Sequence, residues 1–137
     1  MESSSIPSRY VQTTRDVSIA VHPQFIPEQS NPQRNIYAFA YTIVMQNLGR
    51  DTVQLINRHW VIISDGKQFD DVKGEGVVGL QPLLRPGEEF RYTSGAIINH
   101  PVGGMYGTYT FRTPEREFFD VVIPNFDLIY FDASLVH

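Results

Sequence analysis

The segment Lys73-Gly74-Glu75-Gly76-Val77-Val78-Gly79 has the spacing G-x-G-x-x-G. In dinucleotide-binding folds this spacing turns a strand into a helix whose first N–H groups face a pyrophosphate. The residues that follow forbid that helix. Pro82 stands four positions after Val78, where its ring meets the Val78 carbonyl and its missing N–H breaks the ladder, and Pro86 repeats the obstruction a turn later. The glycines therefore read as bending points between strands. Successive backbone N–H groups can still form a nest that holds an anion without a helix. On that basis Lys73, Gly74, Gly76 and Gly79 are the candidate ligand-binding residues, for phosphate, pyrophosphate or a nucleotide held weakly. Arg85 would add positive charge, and Asp70, Asp71 and Glu75 would oppose it.

Other reactive side chains are scattered. His22, His59, His100 and His137 are not spaced to place two on one helix face, and no metal site is expected. Adjacent strand carboxylates such as Asp70 and Asp71 point to opposite faces and do not converge on one ion. The chain has no cysteine and no G-x-S-x-G elbow, and Ser94-Gly95 falls within a strand pattern. No catalytic residue and no cofactor follow from these patterns, so a non-enzymatic protein is expected. Arg58-His59-Trp60 joins a charge, an imidazole and a large aromatic ring, but alternation sends His59 to the face opposite Arg58 and Trp60. Trp60 is assigned to the core, because burying so large a ring contributes heavily to the stability of a small domain.

The elements that must position these residues are strands. Residues 16–22 alternate, with Val17, Ile19 and Val21 on one side, and residues 36–47 repeat the signal with Tyr37, Phe39, Tyr41, Ile43 and Met45 on one face. The second of these is apolar on both faces and is expected to be central. Residues 53–63 change face partway, from Val53 and Leu55 to Trp60 and Ile62, which predicts a bulge near Asn57. Asp65-Gly66 predicts a tight hairpin into a strand over about residues 68–72. Further strands are expected over 90–96, 105–112, 118–123 and 126–131, with Pro124-Asn125 as an interruption. No window sustains helical periodicity. The expected fold class is all-β, an immunoglobulin or fibronectin type III-like antiparallel β-sandwich. Residues 1–15 are expected as a flexible N-terminal tail, 16–131 as the single domain and 132–137 as a C-terminal tail, with residues 23–35 a long surface loop.

The chain has 137 residues, 42% of them hydrophobic, which is enough to bury a core without staples. Its net charge of -4 has the wrong sign for a basic phosphate-binding face, so nucleic acid is not expected as the main partner. No apolar stretch approaches the ~20 residues of a membrane span, and Met1-Glu2-Ser3-Ser4-Ser5 lacks the features of a secretory signal. A cytoplasmic protein is expected, and edge strands of an open sandwich leave homodimer formation possible.

These residues together carry a family resemblance. Val53-Gln54-Leu55, Arg58-His59-Trp60, Lys73 through Pro82, Pro86-Gly87-Glu88, Phe90-Arg91-Tyr92-Thr93-Ser94-Gly95 and Gly104-Met105-Tyr106-Gly107-Thr108-Tyr109 resemble the ApaG family in order and spacing over about residues 16–131. The resemblance implies a small bacterial sandwich protein linked to cobalt resistance and magnesium efflux, from a gene near a diadenosine tetraphosphate hydrolase. Related domains in F-box proteins and in a polymerase-delta-interacting protein look like protein-interaction modules. The resemblance therefore implies an unidentified protein partner; it transfers no catalytic residue.

Overall fold

The computed structural model describes residues 10–131. Nine strands follow in order: β1 (Tyr10–Thr14), β2 (Val17–Phe25), β3 (Tyr37–Asn47), β4 (Val53–Ser64), β5 (Lys67–Glu75), β6 (Leu83–Leu84), β7 (Glu89–Ile98), β8 (Val102–Arg112) and β9 (Phe118–Ile129). They form two antiparallel sheets, ordered β1-β2-β3-β7 and β5-β4-β8-β9, with β6 paired to the start of β4. This is the expected all-β sandwich. Alternation builds its interior: Val17, Ile19 and Val21 from β2 and Phe39, Tyr41, Ile43 and Met45 from β3 meet Leu55, Trp60, Tyr109, Phe111, Val121 and Ile123 from the other sheet. β3 is flanked on both sides, by β2 and β7, in keeping with its two apolar faces.

The face change in β4 is a bulge. Leu55 pairs with Phe111 and Asn57 with Thr110, so Ile56 is the extra residue, and Arg58, Trp60 and Ile62 take over the inward parity from Val53 and Leu55. Trp60 is accordingly buried, against Tyr41, Tyr109 and Phe126. Asp65 and Gly66 sit at φ 54° and 74°, the paired positive angles of the tight hairpin turn.

Several boundaries differ from the sequence expectation. Residues 10–14, placed in the tail, form β1, so the domain begins before residue 16; residues 1–9 and 132–137 lie outside the described residues. The turn that joins β1 to β2 is Arg15-Asp16, at φ 45° and 66°, without the glycine that marks such turns in sequence. Arg15 is held there by a 4.5 Å contact over the Phe119 ring and a 3.5 Å ion pair with Glu117. The expected loop over 23–35 starts later, since β2 runs through Pro23 to Phe25 and two 3₁₀ turns follow. Pro124 does not end β9: the register shifts between Met105 and Gly107, and the strand absorbs Pro124 and Asn125 as a bulge.

One buried polar side chain ties the loops at the lower end of the sandwich. Asn47 is 1% exposed, and its Nδ2 donates to the carbonyls of Asp51 at 2.8 Å and Leu84 at 2.9 Å while its Oδ1 accepts the Gly49 N–H at 2.9 Å. Its backbone bonds the 87–88 turn as well, with the Asn47 N–H given to Glu88 O and the Gly87 N–H given to Asn47 O. Removing the amide strands two carbonyls and an N–H. Asn47→Ala should lower the free energy of unfolding by about 2–3 kcal/mol, read as a lower urea midpoint at unchanged slope; a shift within error would show that these bonds do not hold the loops.

Candidate functional site: the glycine hairpin

Three of the seven residues in the glycine motif lie in a strand. Lys73, Gly74 and Glu75 end β5, and Lys73 is exposed on the outer face opposite His59. Gly74 sits opposite Arg58, on the inward face of the sheet. A Cβ at Gly74 would stand 2.8–2.9 Å from three atoms of the Arg58 guanidinium. The missing side chain makes the channel through which Arg58 crosses, and its Nη1 then donates to the carbonyls of Glu75 and Gly76, both at 2.9 Å.

Gly76 turns the chain at φ 63° and is buried; a Cβ there would meet the Leu80 carbonyl oxygen at 2.2 Å. Its N–H donates to Ile56 O at 2.8 Å, a carbonyl of the bulge residue. Val77 and Leu80 then exchange N–H···O bonds, each 2.8 Å, around the two-residue turn Val78-Gly79. Both turn residues have positive φ, 44° and 80°. Glycine adopts this at no cost, but a β-branched residue in the left-handed region is a genuine outlier. The Pro82 carbonyl then accepts the Leu55 N–H at 3.0 Å and β6 follows, so no helix begins here.

The four candidate residues are thus brought into one hairpin. The N–H groups of Gly76, Val77 and Leu80 are already hydrogen-bonded within the protein, so the hairpin directs these amides inward rather than into an anion nest. What it presents to solvent is apolar. Val78, Leu80 and, just beyond, Leu83 are 55%, 52% and 50% exposed. Motif spacing gave no indication of this presentation, because it depends on which face the turn leaves outward.

Beneath the hairpin lies a hydroxyl cluster that sequence reasoning missed. Tyr92 and Tyr109 share a hydrogen bond between their hydroxyls deep in the core. Tyr41, from the neighbouring strand, is hydrogen-bonded to Ser94 and lies in the field of the Arg58 guanidinium. Burial pushes all three hydroxyls above their ordinary range, and Arg58 draws each of them partway back. The outer face carries His59, whose Nε2 lies 2.8 Å from Asp71 Oδ1, while Asp70 Oδ1 accepts the Asp71 N–H. Among the described residues no three His, Asp or Glu side chains come together as a metal-binding group.

Comparison with known proteins places this geometry. The sequence profile of the ApaG domain matches residues 27–113, which include Arg58, the glycine hairpin, Tyr92 and Tyr109. The protein ApaG of Methylobacterium nodulans is 50% identical over 119 residues, covering 87% of this chain and 92% of that one. ApaG of Acidithiobacillus ferrooxidans is 47% identical over 117 residues, covering 85% and 92%. A crystal structure of an ApaA protein from Bordetella pertussis superposes with a TM-score of 0.79 at 41% identity, over 90% of this chain and 97% of that chain.

Two outcomes test the site's construction. Val78→Asn creates the Asn-Gly pair that suits this turn, and should raise stability by about 1 kcal/mol, whereas Gly76→Ala should lower it. A Val78→Asn protein no more stable to urea than the parent would mean that the turn stores no strain. The tyrosine cluster predicts the alkaline limit. A hydroxyl whose pKa is raised by folding ionises more easily in the unfolded chain, so its stabilising effect is complete below the unfolded value of 10.0 and is lost as pH climbs above it. In an alkaline absorbance titration, Tyr41, Tyr92 and Tyr109 should ionise only together with loss of the near-ultraviolet dichroism; phenolate formation in an intact fold would contradict their burial.

Proposed function

The chain belongs to the ApaG family, and from that premise we propose that it is a non-enzymatic binding module that docks on a protein partner through the glycine hairpin. The observation that carries the reading is Val78. A β-branched residue held at φ 44° costs of order 1–3 kcal/mol, and the hairpin keeps that conformation while leaving the side chain in solvent. Asparagine or glycine would relieve the strain, so the apolar side chain has a use outside the fold. Leu80 and Leu83 extend the same exposed surface, and adjoining exposed apolar side chains mark an interaction surface. The family resemblance supplies the context, a partner in divalent-cation handling behind cobalt resistance and magnesium efflux, in the cytoplasm. No helix among the described residues is long and apolar enough to cross a membrane.

The test uses Leu80→Asp with Leu83→Asp, both at half-exposed positions where the fold should tolerate charge to within about 1 kcal/mol. A bacterial strain lacking its own ApaG gene, and sensitive to cobalt for that reason, should regain growth with the parent chain and not with the double variant. In parallel, capture from that lysate should recover one reproducible protein with the parent and about tenfold less with the variant. Full rescue by a folded double variant would reject the hairpin as the docking surface. Turnover of diadenosine tetraphosphate by the purified protein would reject the non-enzymatic reading itself.

A further inference from the structure

Among the described residues the two sheets end in the longer edge strands β1, β7, β5 and β9, with the two-residue β6 beside β4, and β7 alone of the longer ones is unguarded. β1, Tyr10–Thr14 among the described residues, folds over β9, which its Thr14 and Tyr10 side chains bond. β5 carries Lys67, Asp70, Asp71, Lys73 and Glu75 in nine residues and is kinked by a register shift at the Ile62/Ile63 pairs. β9 has the Pro124 bulge, and β1 side chains close part of its rim: Thr14 Oγ1 accepts the Val122 N–H at 3.2 Å and the Tyr10 hydroxyl accepts the Asp127 N–H at 3.4 Å. Short strands, charges, bulges and covering contacts are the devices that stop a sheet edge from accepting another strand.

β7 lacks them over most of its length. It is ten residues long and pairs only with β3 among the described strands. From residue 92 to residue 98 it reads Tyr-Thr-Ser-Gly-Ala-Ile-Ile, with no charge, no proline and no register shift against β3. A groove of about 420 Å³ straddles this edge between the sheets, its walls including Phe39, Ile62, Phe69, Val72 and Ala96, with Asp70 as the one charged residue lining it. Phe69 is the residue that the β5 register shift leaves unpaired, and it is 46% exposed. Gly95 and Ala96 remove side-chain bulk from the edge where an added backbone would approach.

We propose that the free edge of β7 accepts an extended segment of another polypeptide as an additional strand. Its side chains would alternate, apolar residues entering the groove over Ile62, Phe69 and Val72, with a Lys or Arg placed against Asp70. Main-chain hydrogen bonds supply affinity in such strand addition, and the pockets for alternate side chains supply specificity. Charge selects the occupant. Asp70 has no cationic partner among the described residues, so a basic residue is attracted. A second copy pairing β7 to β7 would bring two Asp70 carboxylates to one interface between chains of net charge -4, which is unfavourable. This surface lies apart from the exposed tip of the glycine hairpin, so the two readings can fail independently.

The probe is a capped synthetic peptide, Lys-Thr-Val-Thr-Leu-Thr-Lys, compared with its counterpart bearing Glu in place of both Lys. With the basic peptide at millimolar concentration, amide hydrogen exchange of the intact protein should slow about tenfold at alternate residues within 92–98, and elsewhere remain unchanged. Asp70→Lys, at an exposed position, should weaken the basic peptide about fivefold and favour the acidic one. Ile97→Lys, also exposed, should abolish protection by placing a charge on the edge. Unchanged β7 exchange with the basic peptide would overturn the proposal. Equal binding of the two peptides would overturn its charge selection. A dimer in sedimentation that Ile97→Lys dissolves would overturn it in favour of a second copy.

Discussion

The extra residue Ile56 is the constraint on which the site depends. Side chains alternate strictly along a strand, so without that residue Arg58 and Trp60 would face solvent, and Asn57 and His59 would face the core. With it, one strand delivers Val53 and Leu55 to the lower core and Trp60 and Ile62 to the upper core, and sets Arg58 between them at the open side of the sandwich. The bulge also frees the Ile56 carbonyl, which accepts the Gly76 N–H and the Gln81 side-chain amide. A local defect in β4 thus both aims the guanidinium and anchors the loop that the guanidinium holds.

Around Arg58 the segments that carry the family resemblance converge: Arg58-His59-Trp60, the glycine motif, and the strands contributing Tyr92 and Tyr109. This gives the glycine spacing a physical meaning unlike that of a dinucleotide fingerprint. In that fingerprint the glycines admit a phosphate and a helix. Here Gly74 admits an arginine side chain, Gly76 admits the Leu80 carbonyl, and Gly79 completes a turn with both residues at positive φ. At Gly74 and Gly76 the space a side chain would fill is taken by the chain's own guanidinium and carbonyl.

The sandwich was legible because alternation is a strong signal where one face is buried. β2 to β4 and the Asp65-Gly66 turn were readable in this way, and the β4 bulge announced itself as a parity change. The missed elements lacked those signals. β1 is Tyr-Val-Gln-Thr-Thr, mostly exposed and followed by a turn without glycine, and its position depends on side-chain bonds to β9, more than a hundred residues away in sequence. β6 is two residues long and exists only because the hairpin returns the chain to β4. At the candidate site the sequence marked the glycines but not their duty. Which amides are occupied, and which face Val78 presents, follow from Arg58 and Ile56 contacts that no local window contains.

Both exposed surfaces are borne partly by β5, and β5 is pinned at each end. The Asp65-Gly66 turn fixes its start, and Arg58 fixes its finish through the carbonyls of Glu75 and Gly76. Between these points the strand is hydrogen-bonded to β4 alone among the described strands, since β5 lies at the edge of its sheet. An edge strand free at one end would have to be ordered whenever a partner bound, at a cost of about 1–2 kcal/mol for each backbone residue fixed. Holding it at both ends places that ordering in the folding step instead. The hairpin tip and the Phe69 wall of the groove are therefore already formed in the folded chain, so the proposed partners would meet both surfaces without ordering them first.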